Sequence, residues 1–102
     1  MLTVVAKLQA APGKESQLKE TLTKMVAAVK ANEPGRAVAY SLHVANDDPT
    51  TFLFYEQYAD DDAVKAHGAT EHMGALNSAI RDGQLLAGRP VIERYTKIAG
   101  VE

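Results

Sequence analysis

Glu56, His67 and His72 are the side chains of this sequence whose types suit proton transfer near neutral pH. All three fall in one stretch, Tyr55 to Met73, which reads Y-E-Q-Y-A-D-D-D-A-V-K-A-H-G-A-T-E-H-M. Glu56 interrupts an otherwise apolar and aromatic strand pattern. On one unbroken helix, histidines five residues apart would point about 140° away from each other. Gly68 and Thr70 predict a break that lets both rings turn toward a common space. A strand carboxylate and two imidazoles around one pocket would serve acid–base chemistry, and Tyr40 and Tyr58 could add phenolic donors to a substrate oxygen. Phe54 and Met73 are candidates for the pocket wall.

Each of these residues also has a plain structural role to play. His67 could tie the helix break to a backbone carbonyl, and His72 could support the turn after Thr70. Glu56 needs a partner to stay ionised among apolar neighbours, and Arg89, Arg94 or a residue of a second copy are available. Aromatic residues at alternating strand positions commonly belong to a core. His43, near the end of its strand, is expected to be exposed. The run Asp60-Asp61-Asp62 reads as a helix cap: consecutive residues at a helix start diverge, and no metal-ligand spacing accompanies them. No metal is therefore expected.

The elements that must position these residues follow from periodicity. Leu2 to Gln9 alternates as a strand, with Leu2, Val4, Ala6 and Leu8 on one face. Pro12-Gly13 ends it. From Lys14 the residues Leu18, Leu22, Met25, Val26 and Val29 form one apolar helical stripe, with Glu15–Lys19 and Glu20–Lys24 as solvent-side pairs. Asn32-Glu33-Pro34-Gly35 stops that helix. Arg36 to Ala45 predicts a second strand with Val38, Tyr40, Leu42 and Val44 on one side and Ala37, Ala39, Ser41 and His43 on the other. A polar turn over Asn46-Asp47-Asp48-Pro49-Thr50 leads to a third strand, Thr51 to Tyr58, with Phe52, Phe54, Glu56 and Tyr58 on one face. A short helix opens at Asp60. Another starts at Thr70-Glu71 and ends at Gly83. Leu85 and Leu86 form a buried connector, and Val91 to Ile98 is the last strand.

Composition removes several function classes. The 102 residues predict a single domain over 1–102, and 46% hydrophobic with 24% charged residues is ordinary globular composition. A formal charge of -2 gives no reason to expect nucleic acid or an anionic membrane surface. The chain has no cysteine, which excludes disulfides, thiolate catalysis and thiolate metal sites. It opens on a strand pattern with no leader-like apolar run, so a cytoplasmic location is expected.

The order strand, helix, strand, strand, helices, strand predicts an α+β fold, a ferredoxin-like four-stranded antiparallel sheet with its helices on one face. The face away from the helices still carries apolar residues, and a homodimer would cover it.

M-L-T-V-V-A-K-L at the start, the Tyr55–Met73 stretch and P-V-I-E-R-Y near the end resemble the antibiotic biosynthesis monooxygenase family, in particular its quinol monooxygenase-like members. The resemblance spans nearly the whole chain. It implies a dimeric α+β barrel built from two ferredoxin-like subunits, with a pocket in each between sheet and helices. It further implies, as in many members, oxygenation of a small aromatic quinol or phenol by dioxygen with no cofactor. In that reading His67 is the candidate base, with His72, Glu56 and Tyr40 orienting it or the substrate. The haem-degrading members of the superfamily carry an asparagine on the first strand, where this chain has Ala6, and a tryptophan where it has His67. The chain contains no tryptophan at all. Two alternatives stand beside oxygenation. One is an isomerase of a small phosphorylated sugar-like signal, for which Lys65, Arg81 and Arg89 could supply positive charge. The other is a dimer that binds a small molecule without turnover. The dimer expectation is the first to test: light scattering at micromolar concentration should return twice the chain mass, and a stable monomer would refute it.

Overall fold

The computed structural model describes residues 1–101. Its elements run β1 (Leu2–Gln9), α1 (Glu15–Asn32), β2 (Ala37–Ala45), β3 (Asp48–Tyr58), α2 (Asp61–Gly68), α3 (Glu71–Gly83) and β4 (Val91–Thr96). All strand pairings are antiparallel and the sheet order is β2-β3-β1-β4, the ferredoxin-like arrangement. No helix of the described residues is long and apolar enough to cross a membrane.

The sheet's helix-side face is set by its register. Val4 stands opposite Glu56 on one side and Arg94 on the other, and Ala6 stands between Phe54 and Ile92. Because strand side chains alternate, Val4, Ala6, Leu8, Phe52, Phe54, Glu56 and Tyr58 share that face. The α1 stripe packs onto it: Leu18, Leu22, Met25 and Val29 join Leu8, Phe52, Phe54, Leu76 and Leu85 in one core. A smaller cluster of Val4, Tyr58 and Ala63 lies at the α2 end. The opposite face leaves Tyr55, Val91 and Tyr95 exposed, and Ile98 beyond β4 is 96% exposed.

Three local patterns depart from sequence periodicity. In β2, Ala37 pairs with Tyr58 and Ala39 with Gln57, so the bulge at Val38 turns Ala37 toward the core and leaves Val38 exposed. The expected five-residue turn shortens, because β2 ends at Ala45 and β3 begins at Asp48. The Asp48 carboxylate accepts from the Thr50 amide, the Thr50 hydroxyl and the Thr51 hydroxyl, which organises this corner. Pro49 is tolerated in β3 because the register shift there leaves it opposite no β2 residue, and β1 reaches only Thr51. The last strand stops at Thr96 instead of Ile98.

The helix break falls where Gly68 and Thr70 predict it. Asp60 caps α2 by accepting from the Ala63 amide at 2.9 Å. Thr70 caps α3 by accepting from the Met73 amide at 3.2 Å, and its hydroxyl donates to the His67 carbonyl at 2.8 Å. One side chain thus closes α2 and opens α3, which fixes the angle between the helices that carry His67 and His72. Gly83 ends α3 for a packing reason: a Cβ there would lie 2.9 Å from the Leu85 side chain, while Gln84 takes the left-handed conformation at φ 51°. Replacing Thr70 with alanine is expected to cost about 1–2 kcal/mol in urea unfolding, and an unchanged midpoint would remove the assignment.

Candidate functional site

Glu33 is the last residue a reader of the sequence would place in a site. It follows α1 as its C-cap, where the helix dipole disfavours a negative charge. Yet its side chain is fully buried, and a single oxygen, Oε2, accepts two hydrogen bonds. His67 Nδ1 donates to it at 2.8 Å from α2, and His72 Nε2 donates at 2.6 Å from α3. The other carboxylate oxygen, Oε1, is buried without a hydrogen-bond partner among the described residues. The two histidine rings stand 6.3 Å apart, so the helix break does bring them into one cluster, joined through this carboxylate. Burial by itself would push the Glu33 carboxyl up. The hydrogen bonds from His72 and His67, with the positive charge either ring brings when protonated, outweigh it and hold the group below the ordinary carboxylate range.

A carboxylate accepting from Nδ1 dictates the rest of the His67 ring. With the proton of the neutral ring on Nδ1, Nε2 is left with its lone pair free. That nitrogen faces Glu56, whose Oε1 is 3.9 Å away, beyond hydrogen-bond range. Glu56 Oε1 instead accepts from the Tyr58 hydroxyl at 2.5 Å. The arginines suggested by the sequence are not its partners. Burial pushes the Glu56 carboxyl up, against the opposing effects of the Tyr58 hydrogen bond and the His67 charge. Burial also raises Tyr40 and Tyr58 far above the usual phenolic range, so both hydroxyls act as donors and neither as a base.

The cavity beside this ring lies between the sheet face and the helices α2 and α3, with a volume of about 280 Å³. Tyr40, Phe54, Glu56, Tyr58, His67 and Met73 line it, which accounts for six of the seven residues singled out from the sequence. His67 is itself buried, with the Tyr40 and Tyr58 rings 5.5 and 5.4 Å from it. Val4, Leu8, Leu76 and Ile80 make much of the remaining wall apolar, and Ile92 and Arg94 border it from the exposed strand β4. His72 is the exception. It sits behind Glu33 and lines a separate groove with Thr21, Met25 and Ala28 of α1 and Ala75 and Leu76 of α3.

Sequence reasoning missed Glu33 and the pocket roles of Arg94 and Asn77. Only Glu33 had a signal available: an acid at a helix C-terminus with Pro34 next to it is electrostatically misplaced unless something cationic or N–H-bearing meets it. Glu33, His67 and His72 also offer one carboxylate and two imidazole donor atoms within 4.8 Å of one another, a set able to hold a metal ion.

Comparison with known proteins supports the fold and the family. The family model described as antibiotic biosynthesis monooxygenase matches residues 1–79. A Caulobacter crescentus protein, named as a candidate antibiotic biosynthesis monooxygenase, is 35% identical, with 96% of this chain and 90% of that one covered at a TM-score of 0.86. A Pseudomonas aeruginosa protein is 31% identical over 96% of this chain and 94% of its own, also at 0.86. A Mycobacterium tuberculosis structure at 19% identity shares the fold, with 99% and 98% coverage and a TM-score of 0.86. No curated protein sequence matches significantly. The match over residues 1–79, together with these structures, makes the chain a member of the antibiotic biosynthesis monooxygenase family.

Proposed function

We propose that this protein is a cofactor-independent monooxygenase that oxidises a quinol or related phenol with dioxygen. The observation that carries the reading is the His67 ring: its Nδ1 is held by a buried carboxylate, and its Nε2 lies 3.9 Å from Glu56 Oε1, in a largely apolar cavity that both residues line. Such chemistry asks the protein for a base, a dry space and a fixed orientation, since an electron-rich phenolate can itself pass an electron to dioxygen. His67 Nε2 takes the phenolic proton, and the resulting imidazolium is stabilised by Glu33. The phenolate gives one electron to dioxygen, and the two radicals recombine to form a carbon–oxygen bond. Loss of water then leaves a hydroxyquinone. The balance is quinol plus dioxygen to hydroxyquinone plus water, with one atom of the dioxygen in each product.

The other groups fit supporting roles. Tyr40 is a hydrogen-bond donor to a substrate oxygen, and Arg94 supplies positive charge that favours a phenolate. Phe54 and Met73 provide apolar contact. A volume of about 280 Å³ is at the small end of ligand pockets, which favours one or two fused rings over a larger polycycle. An isomerase of a phosphorylated sugar is less well served, because of the cations proposed for it from sequence, Lys65, Arg81 and Arg89, none lines the cavity. The exposed Tyr55, Val91, Tyr95 and Ile98 support a second copy as the cover for the outer sheet face.

Oxygen uptake with a panel of monocyclic and bicyclic quinols tests the reading. Turnover is expected with at least one, and His67→Ala should lower it about 10²–10⁴-fold, the usual contribution of a positioned base. No uptake by the wild-type protein, or an unaffected His67→Ala rate, would overturn it. Glu33→Ala should destabilise the fold by about 3 kcal/mol, because two buried N–H donors lose their acceptor. Glu33→Gln should lower kcat while leaving KM nearly unchanged, since Glu33 does not line the cavity. A change confined to KM would contradict this positioning role.

A further inference from the structure

We propose that Glu33, His67 and His72 also form a binding site for a divalent transition-metal ion of the zinc class, and that occupancy of this site switches His67 out of its role as base. Two imidazoles and a carboxylate are a donor set that favours late first-row ions over magnesium or calcium, and three protein ligands leave a fourth position open to water. The three donor atoms already lie within 4.8 Å of one another. A second, independent feature is Glu33 Oε1, a buried carboxylate oxygen with no partner. Such an oxygen is costly to leave unsatisfied, and an ion bound by both carboxylate oxygens would satisfy it where the two ring N–H groups, both spent on Oε2, do not.

The adjustment required is a side-chain one. The N···O separations of 2.8 and 2.6 Å are those of hydrogen bonds. Around a tetrahedral ion with bonds of about 2.0–2.2 Å, neighbouring ligands stand about 3.4 Å apart, so the two N···O separations widen by about 0.6–0.8 Å and the two ring nitrogens, within 4.8 Å of each other, draw together. His72 has the freedom to move, being near the start of α3 with its side chain 15% exposed. An entry path exists along the groove between α1 and α3 that His72 lines. Lys24 also borders this groove, but its ammonium is paired with Glu20 at 3.5 Å.

Ion binding reverses the tautomer on which base catalysis depends. When His67 Nδ1 gives its lone pair to the ion, the proton of the neutral ring resides on Nε2. The nitrogen facing the cavity then becomes a donor. His72 changes in the opposite sense, its proton moving to Nδ1. The expected inhibition of oxygenation by zinc rests on the assignment of His67 as base, whereas binding itself does not, so the two readings fail separately.

The test uses tag-free full-length protein stripped with a chelator, titrated with Zn²⁺ by calorimetry and with Co²⁺ by visible absorption. One ion per chain is expected at micromolar affinity or tighter, with a Co²⁺ band of low-coordinate type. His72→Ala and Glu33→Gln should each weaken binding about tenfold or more. His43→Ala should leave it unchanged, because that ring is exposed and bonded to Ser41. Circular dichroism establishes that each variant is folded, and if Glu33→Gln is not, the partly exposed His72→Ala decides. Absence of saturable binding, or binding that survives His72→Ala undiminished, would overturn the proposal.

Discussion

A carboxylate sealed from water at the C-terminal end of a helix has two costs to offset, the loss of its hydration and the unfavourable helix dipole. Glu33 offsets both by accepting N–H bonds from two different helices. That requirement constrains the tertiary structure: α2 must bring His67, and α3 must bring His72, to one oxygen atom. The break at Gly68 to Thr70 makes the convergence possible, because no continuous helix would direct both rings to one point. The hydroxyl of Thr70 holds the break by bonding backbone on both sides of it.

The same bond that satisfies Glu33 sets the chemistry. An imidazole alone exchanges freely between tautomers, and a carboxylate on Nδ1 selects the one with a free Nε2. Because α2 lies over the sheet at Tyr58 and Glu56, that nitrogen is directed inward over the cavity. The sheet contributes an apolar floor and a buried carboxyl, while the tyrosines remain protonated donors. The polar groups therefore divide by position: an imidazole held from behind by a carboxylate, phenolic donors at the sides, and one cation on the strand bordering the cavity.

Much of this was legible in the residues, for identifiable reasons. The α1 stripe, the β1 and β3 alternation and the helix break are local patterns, and locality is what a single sequence records. The bulge at Val38 was not legible, because it exists only as a mismatch of step between β2 and β3. Glu33 was legible only as a charge misplaced at a helix C-terminus, and its partners were not. Its partners lie 34 and 39 residues away, and within its own segment it looks like one polar residue of a helix-ending turn. Six of the seven singled-out residues do line one cavity, yet the residue that orders them has the sequence context of punctuation. Sequence patterns report which side of an element a residue occupies. They do not report which distant group needs it.

The dependence of the whole site on one tautomer can be observed directly. Nitrogen-15 NMR of the metal-free protein, with the imidazole nitrogens labelled, reads the protonation of each ring nitrogen of His67. The account predicts that the neutral ring carries its proton on Nδ1, slow to exchange and hydrogen-bonded to a carboxylate, with Nε2 unprotonated. A neutral ring protonated on Nε2, or one whose proton exchanges as fast as that of a solvent-exposed histidine, would contradict it.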